Sequence, residues 1–119
     1  MDEARVRRAV LNLIANAVNA MPQGGELTIA TDEAGGRWRL SVVDSGPGIP
    51  LDQRSQVFEA FATLGKGSET GLGLAIAKEV VEGHGGHISF ETRTAGESDA
   101  HRPGTTFQIE IPVTPVQAG

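Results

Sequence analysis

The chain has no cysteine in 119 residues, so disulfides, zinc ribbons, iron–sulfur clusters and thiol nucleophiles are all excluded. It has no long apolar run, which excludes a membrane-spanning helix. The start, MDEARVRRAV, lacks the apolar stretch of a signal peptide. These absences predict a cytoplasmic domain with no direct membrane contact. A basic surface is missing too: 10 basic residues face 15 acidic ones, for a net charge of −5. The one basic cluster, Arg5, Arg7 and Arg8, sits beside Asp2 and Glu3. Nucleic acid is therefore not the expected partner. What remains is globular composition, 39% hydrophobic and 21% charged. The length suits one domain, burying roughly 65% of the surface of the unfolded chain. Glycine is plentiful, at 16 residues, and it comes in clusters.

From Glu3 to Met21, the residues Val6, Val10, Leu13, Ala17 and Met21 recur at three- and four-residue steps, predicting an amphipathic helix. Pro22 and Gly24-Gly25 end it. Leu27, Ile29 and Thr31 then alternate with Thr28 and Ala30 as a half-buried strand, and Gly35-Gly36 turns the chain into a second strand through Trp38, Leu40 and Val42. A glycine–proline loop covers Ser45 to Pro50, and a short helix is expected over Asp52 to Phe61. Ala62 to Thr70 has no period and reads as a mobile loop. Gly71 to Glu82 reads as a second long helix, with Leu72, Ile76 and Val80 in one stripe. Ile88, Phe90 and Thr92 mark a third strand, Thr94 to Pro103 a polar connection, and Phe107, Ile109, Ile111 and Val113 a fourth strand. Strands with one apolar and one polar face suit an α+β two-layer α/β sandwich, with a mixed, mostly antiparallel sheet and helices on one side. The domain is expected over residues 1–113, with 114–119 as a tail.

Three features carry chemistry. Asn12, Asn16 and Asn19 share one stripe of the first helix, although asparagine is a poor helix former. A solvated face is one reading. The other starts from Ile14, Ala15, Val18 and Ala20, which make the rest of the helix so apolar that near-complete burial is expected. Buried amides need partners, and amide oxygens suit a hard cation such as Mg²⁺. Second, in VVDSGPGIP, Asp44 has the parity of Leu40 and Val42 and points to the apolar side. It is either a turn carboxylate bonding its own backbone or an acceptor for an exocyclic amine at a pocket floor. Third, Gly71 and Gly73 open a helix whose free N–H groups suit phosphate, or else they serve close helix–sheet packing.

The order of the motifs is more specific than any one of them. An N-x-x-x-N helix, D-x-G-x-G, F-E-x-F, T-G-L-G-L-A, H-G-G and G-T-T-F follow one another across nearly the whole chain. This series resembles the ATP-binding catalytic domain of two-component sensor histidine kinases, in the superfamily shared with type II topoisomerases, mismatch-repair ATPases and a heat-shock chaperone. LNLIANAVNAMPQGG is most similar to the nitrogen-regulation branch. The resemblance implies the Bergerat-type ATP-binding fold, with ATP and Mg²⁺ as ligands. It implies that Asn16 coordinates Mg²⁺, with Asn12 as the first position of that box and Asn19 near the phosphates. It implies that Asp44 bonds the adenine amine, that Gly46, Gly48 and Ile49 form the adenine loop, and that Phe58 and Phe61 anchor a lid. Lys66, Thr70, Gly71, Leu72, Gly73 and Leu74 correspond to the lid and the phosphate-side start of the helix, and Thr105 lies near an adenine-site water.

There are departures from the family pattern. Asn19 stands where many such kinases carry a basic residue, Lys66 is one place off the usual lid lysine, and Glu69 replaces the first glycine of G-T-G-L-G-L. The helix and edge strand that precede this point in the family are absent, so an excised or truncated domain is expected. None of His84, His87 and His101 has the setting of a phosphoacceptor. The implied function is transfer of the γ-phosphate of Mg·ATP to a histidine on a separate dimerisation and phosphoacceptor domain, which then serves a response regulator. The host is a cytoplasmic protein or the cytoplasmic part of a membrane-bound sensor. The alternatives are a nucleotide-binding module without its own catalysis, a serine kinase of the anti-sigma type, and a hydrolytic ATPase. The last is disfavoured because Asn12 occupies the place of the glutamate base of such enzymes.

Overall fold

The computed structural model describes residues 2–58, 73–95 and 103–113. Helix α1 (Glu3–Asn19) starts where the Asp2 side chain accepts the Arg5 N–H, at 3.2 Å. It ends before Pro22 and Gly24, the latter at φ +96°. Strands β1 (Leu27–Ala34) and β2 (Arg37–Asp44) form a hairpin across Gly35 and Gly36, both at positive φ, as a tight turn between twisted strands requires. A short 3-10 helix (Leu51–Gln56) follows, then α2 (Gly73–Gly83), β3 (His87–Arg93) and β4 (Gly104–Pro112). The sheet order is β1-β2-β4-β3, and all three pairings are antiparallel. Both helices pack on one face, α1 over β2 and α2 over β3 and β4, and they also pack on each other. The molecule is the two-layer sandwich that the strand parity implies.

The core lies between these layers. Leu13 of α1, Val81 of α2, Val42 of β2 and Phe107, Ile109 and Ile111 of β4 are fully buried. Phe58, Phe90 and Phe107 meet edge to face or tilted, with centroids 5.7 to 6.1 Å apart, and fill the end of the core below the glycine–proline loop. The H-G-G turn is structural. His84 Nδ1–H donates to Val80 O at 2.8 Å, and Nε2 accepts Asp2 N–H at 2.9 Å, which ties the end of α2 to the start of α1. A Cβ on Gly86 would stand 2.1 Å from Glu110 O, so the turn needs glycine to reach β4.

Three expectations are corrected. Strand β1 is not half-buried: all eight residues are exposed, including Leu27 and Ile29, because it is an edge strand beyond the main helix contacts. Helix α1 is not nearly buried: its buried stripe is Val6, Ala9, Leu13 and Ala17, while Ala15, Leu11 and Val18 are exposed. One helix face touches the sheet and α2, and the composition of the other face does not change that. The helix expected over Asp52 to Phe61 is a 3-10 turn as far as Gln56, where Pro50 O accepts the Gln53 N–H. The lid segment 62–70 and the tail 114–119 lie outside the described residues.

Candidate functional site

At one end of the sheet, the last residues of α1, the loop after β2, the residues just after β3 (Thr94 and Ala95) and the start of β4 surround a cavity of about 580 Å³. Its wall includes Asn16, Asn19, Asp44, Gly48, Ile49 and Thr105. These six candidates come from three separate stretches of sequence. Such a volume suits a ligand the size of a nucleotide or cofactor.

Asp44 is the floor. It ends β2 with the inward parity of Leu40 and Val42, and it is 4% exposed. Its Oδ1 accepts the Gly46 N–H at 2.9 Å, and the Thr105 N–H across the ladder also bonds to the carboxylate. The turn-carboxylate reading and the pocket reading are therefore both true of one side chain. Two backbone donors hold it, and it still faces the cavity as an acceptor. Burial pushes its pKa up, and the Gly46 and Thr105 hydrogen bonds oppose that in part. An aspartate with a raised folded-state pKa binds more protons folded than unfolded. Its contribution to stability is thus fully present below the ordinary carboxylate range and is lost as the pH rises through the raised value. Relative to an Asp44→Asn variant, the wild type is expected to gain stability as the pH falls through that window. Thermal midpoints of the two proteins against pH check this, and parallel curves would refute it.

The loop above Asp44 is pinned at both ends. Ser45 N–H donates to Glu26 O at 3.1 Å, and Ser45 Oγ accepts the Glu26 N–H at 2.8 Å. Ile49 N–H donates to Thr92 Oγ1 at 2.8 Å, and Arg54 Nε donates to Ile49 O at 2.9 Å. Gly48 is at φ +82°, and a Cβ there would stand 2.0 Å from Arg93 O, so the loop rests directly on the end of β3. The second glycine of D-x-G-x-G is thus required by both conformation and contact.

On the other wall, Asn16 and Asn19 of α1 line the cavity. Asn12, one turn earlier, is against the start of α2: its Cβ and Cγ lie 3.7 and 3.8 Å from where a Gly73 Cβ would be. Its Nδ2 is buried with no partner among the described residues. An amide donor beside the N-terminus of a helix suits an anionic occupant. A hard cation with anionic co-ligands also fits here. The asparagine oxygen is a neutral hard donor.

The other described candidates stand apart from the cavity wall. Gly46 is in the loop behind Asp44, and a Cβ there would stand 3.0 Å from both Ala20 O and Asp44 Oδ1. Phe58 is in the aromatic cluster with Lys78 Nζ 5.7 Å from its ring centre, Leu74 is in the core, and Gly73 starts α2. Phe61, Lys66, Thr70, Gly71 and Leu72 lie outside the described residues. The sequence reading did not find Gln53, Thr94 and Ala95, which also line the cavity. Gln53 Oε1 is buried without a partner among the described residues. Nothing in its sequence neighbourhood distinguishes it from a solvated polar residue. Thr92 reads from the sequence only as strand, although a hydroxyl at a strand end can anchor a neighbouring loop.

Residues 1–115 match the family model described as histidine kinase-, DNA gyrase B- and HSP90-like ATPase. Sensor histidine kinase ZraS of Escherichia coli K12 is 37% identical over 112 residues, which are 94% of this chain and 22% of that protein. The chain thus spans about a fifth of the length of that relative. The solved mycobacterial sensor histidine kinase MprB superposes with a TM-score of 0.78 at 36% identity, over 94% of this chain and 74% of that one. Full-length ShkA, solved in complex with AMPPNP, gives 0.76 at 32% identity, over 98% of this chain and 24% of that one. No described helix is long and apolar enough to cross a membrane.

Proposed function

The chain belongs to the histidine kinase-, DNA gyrase B- and HSP90-like ATPase family, and from that premise we propose that it binds Mg·ATP and presents the γ-phosphate to a histidine on a separate dimerisation and phosphoacceptor domain. That domain then serves a response regulator on the cytoplasmic side of the cell. The observation that carries this reading is the convergence of a buried acceptor, Asp44, and a neutral amide ligand, Asn16, on one cavity of nucleotide size. Asp44 takes the adenine amine, and Gly48 and Ile49 form the wall beside the base. Thr105 assists through water. Asn16 holds Mg²⁺, Asn19 faces the phosphates, and Asn12 with Gly73 lies at the phosphate end. Gly46 shapes the loop, and Leu74 and Phe58 fix α2 and the near end of the lid. Phe61, Lys66, Thr70, Gly71 and Leu72 complete the lid and the approach to α2. When bound, Mg²⁺ supplies charge neutralisation on the triphosphate. The residues supply position, which is most of what phosphoryl transfer asks of a protein.

The name of the relative solved with AMPPNP supports the nucleotide part of this reading. The sensor kinase names of the relatives favour the kinase over the module without catalysis and over an anti-sigma type serine kinase. The test is calorimetric titration of this chain with a non-hydrolysable ATP analogue, with and without Mg²⁺. Saturable binding strengthened by Mg²⁺ is expected, and no binding would reject the reading.

Hydrolysis by the isolated chain is expected to be slow, because the amide of Asn12 cannot take a proton from water. Asn12→Glu is expected to raise phosphate release by about tenfold or more, a gain below the roughly hundredfold that a well-positioned base contributes. A phosphate-release assay that finds no increase in a folded, ATP-binding variant would contradict the assigned place of Asn12.

A further inference from the structure

Thr92 does not line the cavity, yet it lies behind two groups that do. Its Oγ1 accepts the Ile49 N–H at 2.8 Å, lies 2.8 Å from Thr105 Oγ1, and lies 3.2 Å from Gly104 O. Thr92 and Thr105 are directly paired across β3 and β4. Between them, the two hydroxyls have two protons to place. The Thr92 oxygen has two lone pairs, and the Ile49 N–H uses one. If Thr105 donates into the second, the proton of Thr92 goes to Gly104 O and every group at this junction is paired. Thr105 then has no proton left for the cavity. If Thr92 donates to Thr105 instead, Gly104 O loses that proton, one lone pair of Thr92 stays empty, and Thr105 aims a donor at the cavity. Buried polar groups favour the fully paired arrangement.

We propose that Thr92 is the positioning residue that sets the polarity of the base pocket: it takes up the proton of Thr105, so that Thr105 and Asp44 together present only acceptors to the ligand. This rests on the nucleotide reading above and deepens it. An acceptor pair on adjacent strands, Asp44 and Thr105 being ladder partners, complements an exocyclic amine with two N–H groups, directly or through one water. It opposes a carbonyl at the same ring position. Base selectivity is then divided between the carboxylate, which accepts, and a hydroxyl that a residue outside the pocket keeps from donating.

The probes are ATP and inosine triphosphate, which differ by amine against carbonyl at that ring position and by an acceptor against an N–H at the adjacent ring nitrogen, a second difference that the Thr105→Val background below controls for. Thr92→Val keeps the shape of the side chain and removes the oxygen. Losing the anchor for Ile49 weakens both nucleotides alike, and a purely structural role would do no more. The proposal requires in addition that the freed Thr105 proton turns to the cavity and favours the carbonyl. The preference for ATP over inosine triphosphate is therefore expected to fall about three- to tenfold, the worth of one ordinary hydrogen bond. Thr92→Ser is expected to restore the wild-type ratio. In a Thr105→Val background, Thr92→Val is expected to leave the ratio unchanged. Thr92→Ala serves as the second oxygen-free variant should valine not fold, and thermal melts establish folding in each case. A wild-type ratio in a folded Thr92→Val or Thr92→Ala protein that still binds ATP overturns the role of Thr92 alone. Failure of the wild type to bind ATP overturns the nucleotide reading and this one with it.

Discussion

Asn16→Ala is expected to reduce phosphotransfer by about a hundredfold or more when Mg·ATP and a cognate phosphoacceptor domain are supplied, with the fold unchanged. Asn16 stands in the last full turn of α1, beside the buried Ala17, and is part of the cavity wall. Alanine is the better helix former, so α1 loses nothing intrinsic. The variant loses an oxygen ligand that is hard enough for Mg²⁺ and neutral enough to sit beside a triphosphate without repelling it. Asn16→Asp separates these two properties. It keeps an oxygen of the same reach and adds a negative charge in a partly desolvated site, where like charges interact strongly. It too is expected to fail, and by weakening ATP binding more than alanine does. Radiolabel transfer to the acceptor, together with nucleotide titration, distinguishes these outcomes. An Asn16→Ala domain that transfers phosphate at the wild-type rate would refute the assignment.

What was legible in the sequence follows from where the information is local. The inward parity of Asp44 could be counted along β2, because side chains alternate strictly in a strand, and the structure buries Leu40, Val42 and Asp44 together. The glycine requirement at Gly48 could be suspected from the loop, but its cause, the Arg93 carbonyl pressing from β3, is a contact between distant segments. The exposure of β1 was not legible. Leu27, Ile29 and Thr31 alternate correctly, yet alternation reports which residues share a face and not whether anything covers that face. Likewise, the apolar Ala15 and Val18 of α1 read as buried from composition, while a single helix contact face buries only Val6, Ala9, Leu13 and Ala17. Thr92 and Gln53 were silent because their roles depend on tertiary neighbours, the Ile49 N–H for one and the cavity wall for the other.

Asp44→Asn is expected to weaken ATP binding by about ten- to a hundredfold and to abolish most of the preference for ATP over GTP. The wild-type carboxylate has only acceptors to offer and is already fixed by the Gly46 and Thr105 N–H groups. An adenine amine therefore meets an oriented anion inside a cavity, where a charge-assisted hydrogen bond is worth roughly 1.5–3 kcal/mol. GTP places a carbonyl at that ring position. Against Asp44 this sets oxygen lone pairs face to face and leaves a buried carboxylate without its ligand partner, so the wild type should reject GTP strongly. Asparagine changes the balance in two ways. Its oxygen can replace the carboxylate toward one backbone donor, which preserves the loop. Its NH₂ then faces the cavity as a donor, opposing the amine of ATP and donating to the carbonyl of GTP. The effect on GTP should thus be small or favourable while ATP loses affinity, a crossing pattern that general damage to the pocket cannot produce. Competition titrations of ATP and GTP on both proteins read it directly. Equal affinities of the wild type for the two nucleotides, or a parallel loss of both in the variant, would place the base somewhere other than on Asp44.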